Sequence, residues 1–185
     1  MAQSWRVGHE RTRKPRPPLD AEALERIALH YAGRYATTRA KLRSYLSRKV
    51  RERGWEGEAS PPLDTLVERF AGLGYVDDRA FATARAASLG RRGYGARRVD
   101  AALAAAGIGE EDGAAAREQA REDAWSAALR FAERRRIGPF AQVLADPAAR
   151  EKALAAMLRA GHPLDLARRL VRARPGEVPE PADSR

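Results

Sequence analysis

Arginines crowd around one short turn near the middle of the chain. Between Arg79 and Arg98 there are six arginines and no acidic residue, so this stretch carries a local charge of +6. A guanidinium group binds a phosphate or a carboxylate through two parallel hydrogen bonds, and such a cluster therefore suits an anionic partner. The candidate binding residues are Arg85, Arg91, Arg92, Tyr94, Arg97 and Arg98.

The turn itself reads Gly93-Tyr94-Gly95, with two arginines on each side. We expect both glycines to let the backbone take positive φ, and Tyr94 to offer its ring and hydroxyl. The arginines would then form one anion-binding rim. Arg97 and Arg98 would begin a helix, where cations oppose the helix dipole, and this small cost favours a functional role. The alternative is an ordinary turn between two helices, with solvated arginines.

A second basic run lies between residues 39 and 53. Residues four apart are neighbours on a helix surface, so Arg39 and Arg43 would share one face. We take Arg39, Arg43 and Lys49 as further binding candidates, and the alternative is a solvated helix surface. The run comprises Arg39, Lys41, Arg43, Arg48, Lys49, Arg51 and Arg53.

Residues suited to catalysis or metal binding are scarce. The chain has no cysteine, and its three histidines (His9, His30 and His162) fall in different segments, so no metal-ligand spacing appears. The paired carboxylates Asp77-Asp78 are typical of a helix start, where a side-chain oxygen caps backbone N–H groups. We therefore predict no catalytic residue, no cofactor and no metal site.

The composition predicts an all-α protein. Aromatic residues make up 6% of the chain, alanine and leucine dominate the apolar set, and no strand-like alternation is evident. The net charge is +10, and 31 of the 35 basic residues are arginine. A GC-rich genome can explain the preference for arginine over lysine, but it does not explain the net charge. No apolar run approaches the roughly 18–20 residues of a membrane span, and no signal peptide is evident, which predicts a cytoplasmic protein.

Apolar residues at helical spacing predict nine short helices between two tails. Expected caps are Thr37 or Thr38 for the second helix, Asp77 or Asp78 for the fourth and Asp146 for the eighth. The sixth helix, after Gly109, offers only alanines to bury. Residues 1–18 are expected to form a flexible basic arm, and residues 175–185 a disordered tail.

The nine helices fall into three sets of three. Ala28-Leu29-His30-Tyr31-Ala32 recurs 100 positions later as Ala128-Leu129-Arg130-Phe131-Ala132, and Pro62-Leu63-Asp64 recurs 101 positions later as Pro163-Leu164-Asp165. These matches indicate repeats of roughly 50 residues, each a three-helix unit that buries its apolar face partly against its neighbour. The predicted boundaries are 19–76, 77–122 and 123–174.

With the repeats and the arginine turn taken together, the chain resembles the RecX family of recombination regulators. The resemblance spans nearly everything outside the two tails. Arg39, Leu42 and Leu46 fit the middle helix of the first repeat. The specific motifs are Gly-Tyr-x-Asp-Asp-x-x-Phe-Ala at Gly74 to Ala82, Arg-Arg-Gly-Tyr-Gly-x-x-Arg-Val at Arg91 to Val99, and Leu103-x-x-x-Gly107-Ile108.

The resemblance implies an elongated, curved array of three tandem three-helix repeats. It also implies a non-enzymatic inhibitor that binds the RecA–DNA filament in its groove and blocks strand exchange, ATP hydrolysis and coprotease activity. We expect a monomer with the RecA filament as its partner, weak electrostatic contact with DNA and no membrane contact. The alternative is a sequence-independent protein that acts directly on single- or double-stranded DNA.

Overall fold

The computed structural model describes residues 17–181, and over this range the protein is all-α, as predicted. No helix within the range combines the length and the apolar character that crossing a bilayer requires. Most of the predicted basic arm and the last four residues of the predicted tail lie outside the described residues. The elements are α1 (Ala21–Arg34), α2 (Arg39–Arg53), α3 (Leu63–Gly72), α4 (Asp78–Arg91), α5 (Ala96–Ala104), α6 (Glu110–Glu122), α7 (Ala124–Arg135), a 3₁₀ turn (Gly138–Phe140), α8 (Pro147–Arg159) and α9 (Leu164–Arg172).

Side-chain caps set the starts of several helices. Thr38, and not Thr37, caps α2 by accepting a hydrogen bond from the Lys41 amide at 3.1 Å. Asp77 caps α4 in the same way, and Asp146 caps α8 with Pro147 as the first helical residue. Each cap satisfies an N–H group that has no partner inside its own helix. The three predicted caps are therefore confirmed.

The alanine-rich sixth helix forms despite its lack of large apolar residues. Its first turn holds three acids, which suit the positive end of the helix dipole. Its buried Arg117 reaches back and donates hydrogen bonds to the carbonyls of Gly109, at 3.1 Å, and Glu110, at 3.2 Å. Small side chains let α6 lie close against α4, so tertiary packing replaces the missing apolar bulk.

Three separate apolar cores follow one another along the chain. The first lies among α1, α2 and α3, the second among α4, α5 and α6, and the third among α7, α8 and α9. The largest fully buried side chains of the three cores are Leu19, Leu24, Leu42 and Leu46 in the first, Val99 and Leu103 in the second, and Met157 and Leu170 in the third.

Turns make an equivalent pair of polar contacts between successive units. At the first junction, the hydroxyl of Thr38 donates to the Ala106 carbonyl at 2.6 Å. At the second junction, the amide of Gly95 donates to the Ala160 carbonyl at 2.9 Å. Thr38 and Gly95 are the N-cap residues of α2 and α5, and each acceptor directly precedes a glycine with positive φ. The two junctions therefore use equivalent positions.

The two glycines of the arginine turn serve this second junction. Gly93 has φ of +74°, as predicted, but Gly95 has φ of −81°, so the prediction of positive φ was wrong for Gly95. A Cβ atom on Gly95 would lie 2.6 Å from the carbonyl carbon of Gly161, and one on Gly93 would lie 2.7 Å from the Phe131 amide nitrogen. Both positions need glycine because another backbone passes too close for a side chain.

The segment between α7 and α8 is fixed at its start by a contact with the C-terminal residues. The 3₁₀ turn there accepts a hydrogen bond at the Pro139 carbonyl from the Gly176 amide, at 2.8 Å. The predicted C-terminal tail thus begins in contact with the third unit. The predicted repeat boundaries and the curvature of the array stay predictions, and three separate cores joined by equivalent turns are consistent with them.

Candidate anion-binding site

Four cations line one pocket where the first two units meet. The pocket has a volume of about 350 Å³, and its basic lining residues are Lys41 from α2, Arg85 from α4, Arg92 from the end of α4, and Arg98 from α5. Tyr94 supplies a ring to the same wall, and the rest of the lining is apolar. We call this set of five residues the cation pocket.

No carboxylate lines the cation pocket. Within residues 17–181, none of its four cations lies within 4.0 Å of an Asp or Glu oxygen. All four side chains are exposed. Their N–H donors are thus available to an anion. Several positive charges held close together also attract an anion more strongly than one of them would alone.

Aromatic rings, rather than carboxylates, contact three of the four cations. The guanidinium carbons of Arg92 and Arg98 lie 5.2 and 5.9 Å from the centroid of the Tyr94 ring. The Lys41 ammonium lies 4.5 Å from the centroid of the Phe81 ring. Such contacts orient a cation over a π face and leave its hydrogen-bond donors free at the edge. Tyr94 itself packs against the second and third cores, so its ring has a rigid support.

Lys41 was not among the residues selected as binding candidates from the sequence, although it belongs to the basic run of α2. Lys41 lies three residues after the cap Thr38, and Arg98 lies three residues after the cap Gly95. The two cations therefore occupy the same position relative to the caps of α2 and α5, and both line the pocket. When Thr38 is aligned with Gly95 in the sequence, Lys41 falls opposite Arg98. This match is the sequence signal that identifies Lys41 as a binding candidate.

The candidates Arg39, Arg43 and Lys49 lie outside the cation pocket and are paired with acids. Hydrogen bonding from Arg43 holds the pKa of Asp64 below its usual value, and hydrogen bonding from Lys49 does the same to the pKa of Glu52. The guanidinium group of Arg39 lies between Glu68, at 3.4 Å, Asp78, at 3.6 Å, and Asp112, at 3.8 Å.

Arg91 and Arg97 are exposed but do not line the cation pocket. Arg91 lies on a different pocket, between α4, α6 and α7. The backbone amide of Arg97 contacts the Gly161 carbonyl at 3.3 Å, as part of the second junction. Of the nine candidates, the structure therefore brings together Arg85, Arg92, Tyr94 and Arg98.

Asp78 has a role that the sequence did not reveal. Its side chain is buried, and its carboxylate accepts a hydrogen bond from the Arg39 amide at 2.9 Å in addition to facing the Arg39 guanidinium. The two neighbouring carboxylates thus have different roles. Asp77 caps α4, whereas Asp78 connects α4 to the start of α2. Within residues 17–181, no group of three or more His, Cys, Asp or Glu side chains is placed to hold a metal ion.

Known proteins share both the sequence and the fold of this chain. Regulatory protein RecX of Myxococcus xanthus (strain DK1622) is 33% identical over 182 residues, which cover 91% of this chain and 92% of that protein. The chain belongs to the RecX family. Regulatory protein RecX of Thermus thermophilus is 39% identical over 84 residues, which cover 45% of this chain and 56% of that RecX protein. No protein-family model matches the chain.

A solved RecX structure has the same fold. RecX from Lactobacillus salivarius superposes with a TM-score of 0.60, and the alignment covers 82% of this chain and 94% of that one. The two sequences are 14% identical in this alignment, so the likeness concerns the fold. The all-α architecture is thus that of a RecX protein.

Proposed function

We propose that this protein is a negative regulator of homologous recombination that binds the RecA–DNA filament in its helical groove. Binding there would inhibit strand exchange, ATP hydrolysis and the coprotease activity of RecA. Curated relatives named Regulatory protein RecX support a regulatory role. The observation that carries the proposal is the cation pocket, with its four cations and no carboxylate.

The chemistry of the pocket fits a surface that presents several negative charges at once. Arg85, Arg92 and Arg98 each offer a planar fork of donors, and these forks match carboxylates and phosphates. A filament of RecA on DNA presents both kinds of anion, on protein side chains and on the DNA backbone. The regulator would act by occupying the groove, so it needs no catalytic residue and no cofactor, and a monomer in the cytoplasm suffices.

A charge-reversal experiment tests this role. The triple variant Lys41→Glu/Arg92→Glu/Arg98→Glu is compared with wild type in an assay of DNA-dependent ATP hydrolysis by RecA. Wild type should inhibit at substoichiometric amounts. The variant should need at least about tenfold more protein, because losing one charge-assisted hydrogen bond costs about 1.5 kcal/mol or more.

The matched control carries the same change in net charge elsewhere. Lys152, Arg168 and Arg174 are exposed on the third unit, and reversing all three should leave inhibition close to wild type. Circular dichroism must show that both variants keep their helices. Equal inhibition by wild type and the pocket variant would remove the cation pocket from the site, and no inhibition by wild type at equimolar RecA would reject the regulatory role.

Direct binding to DNA is the second candidate, and the position of Tyr94 among the cations supports it. Aromatic rings beside basic residues are typical of grooves that bind single strands. Salt separates the two candidates, because the slope of log K against log salt changes by about 0.9 for each phosphate contact on duplex DNA. If the magnitude of this slope is smaller by about 2.7 in the triple variant than in wild type, DNA is favoured as the ligand.

A further inference from the structure

A larger pocket shares Tyr94 with the cation pocket. It has a volume of about 650 Å³ and opens between α4, α6 and α7. Its walls are mostly small apolar residues, and we call it the alanine pocket after Ala87, Ala115, Ala116, Ala120 and Ala127. The volume lies within the range of about 300–1,000 Å³ that is typical of ligand sites.

The pocket is wide because α6 contributes three alanines and one longer side chain, Gln119, to its lining. Ala116 and Ala127 are buried and form the floor, whereas Ala87 and Ala115 are exposed and line the entrance. Methyl groups line the space without filling it. The pocket is therefore a concave apolar surface that is open to solvent. Burying an apolar side chain in such a surface lowers the free energy of the complex.

Charge at the rim indicates the chemistry of the occupant. The Arg130 guanidinium is engaged within the protein, because it donates to the Gly90 carbonyl at 3.1 Å and to the Ser126 hydroxyl at 3.3 Å. Arg91 is exposed, and within residues 17–181 no Asp or Glu oxygen lies within 4.0 Å of its guanidinium nitrogens. One carboxylate, that of Asp123, lies on the lining.

The two pockets adjoin at Tyr94, which lines both of them. An apolar cavity therefore lies directly beside a surface with five available cations, the fifth being Arg91. A DNA backbone would use the cations but has no aliphatic group for the cavity. A protein segment that carries both acids and a large apolar residue would use the whole surface.

We propose that the alanine pocket receives a large apolar side chain from an acidic segment of the protein partner, while carboxylates of that segment bind Arg91 and the cation pocket. The inference rests on the proposed function, under which this partner is RecA. It assigns the cation pocket to carboxylates of the protein rather than to phosphates of the DNA.

Filling the cavity tests this inference. The double variant Ala87→Leu/Ala115→Leu places bulk at the entrance, where both residues are exposed, so the core should be spared. The matched control is Ala84→Leu/Ala114→Leu, because both residues are exposed on the same two helices and neither lines the pocket. Affinity for RecA filaments on single-stranded DNA is measured for both variants, beside affinity for the same DNA without RecA.

We expect the filled variant to bind filaments about tenfold or more weakly than wild type, and the control to bind like wild type. Binding to DNA alone should be unchanged in both variants. Should the double variant unfold, Ala87→Met alone repeats the test with less added bulk. Filaments bound equally well by the filled variant would overturn the inference while leaving the regulatory role intact. The inference would also be overturned if the filled variant bound DNA alone tenfold more weakly than wild type, because the pocket would then bind nucleic acid.

Discussion

Residue 95 has no room for a side chain, because the backbone of Gly161 passes directly against Gly95. The sequence suggested a backbone that needs positive φ, yet its φ of −81° is open to any residue. The need comes from Gly161, whose carbonyl group lies where a Cβ atom of residue 95 would be. Local sequence carries no sign of this contact, because the two residues are far apart in the chain.

Gly95→Ala should therefore destabilise the protein. The methyl group would force the two junction turns apart, and overpacking of this kind costs about 1–3 kcal/mol. Gly33→Ala is the matched control, since a Cβ there meets nothing within 4 Å and alanine favours a helix by about 0.5–1 kcal/mol. Urea unfolding measures both changes, and equal stabilities of Gly95→Ala and wild type would show that the junction yields freely.

The arginines differ in role for the same reason. Arg117 is buried and satisfies carbonyls at the start of α6, whereas Arg92 and Arg98 are exposed and held over the Tyr94 ring. A count of arginines does not distinguish these two roles. Their surroundings separate them, because a guanidinium group beside acids or carbonyls has already used its donors.

At the scale of elements, helix α2 presents its cations to different neighbours. Lys41 faces the second unit and joins the cation pocket, whereas Arg43 faces Asp64 at the start of α3. Arg39 lies among three acids, one each on α3, α4 and α6. The basic run was thus correctly placed on one helix, but the run has no common function.

Two substitutions in α2 test this division. Arg39→Met leaves the buried carboxylate of Asp78 without its cation, and the free energy of unfolding should fall by about 1–3 kcal/mol. Arg43→Met removes an exposed pair and should change stability little, because solvent screens such pairs. Denaturant unfolding at neutral pH distinguishes the two, and an equal loss in both variants would contradict a structural role specific to Arg39.

At the scale of the whole molecule, small cores are linked by turns, so the junctions decide how the units act together. The second junction contains a fully buried histidine, His162, whose Nε2 lies 3.1 Å from the Gly93 carbonyl. Because a carbonyl only accepts, Nε2 must carry the proton, and within residues 17–181 the buried Nδ1 has no partner. Burial lowers the pKa of His162, since a charged ring would be desolvated there.

Acid should therefore weaken the protein through this junction. The unfolded chain binds a proton at His162 near pH 6.5 and the folded chain only at lower pH, so stability is complete above about pH 6.5 and falls below it. The loss from this group is at most about 1.4 kcal/mol per pH unit.

His162→Gln keeps a donor for Gly93 but does not titrate, so its stability should fall less than that of wild type between pH 7.5 and 5.5. The exposed His30→Gln on α1 is the control and should follow wild type. Denaturant midpoints at each pH provide the measurement. The same fall in His162→Gln as in wild type would show that other groups cause the acid sensitivity.

Much of the fold was predictable because helices obey local rules. Caps such as Thr38 and Asp146 act over three residues, and apolar spacing repeats within a turn or two, so the order of helices follows from short stretches of sequence. The candidate site was predictable only in part. Arg85, Arg92, Tyr94 and Arg98 are close in the sequence and close in space, but Lys41 joins them from α2, more than forty positions earlier in the chain.

The sequence by itself determined the helical architecture, the family and a short list of cations around one glycine turn. Tertiary structure decided which of those cations are available. Arg43 meets Asp64 and Arg39 meets Asp112 only after packing, whereas Arg92 and Arg98 meet a tyrosine ring and no acid. Helix formation depends on neighbours a few residues away, but a charge is paired or left free by whatever the folded chain brings within about 4 Å of it.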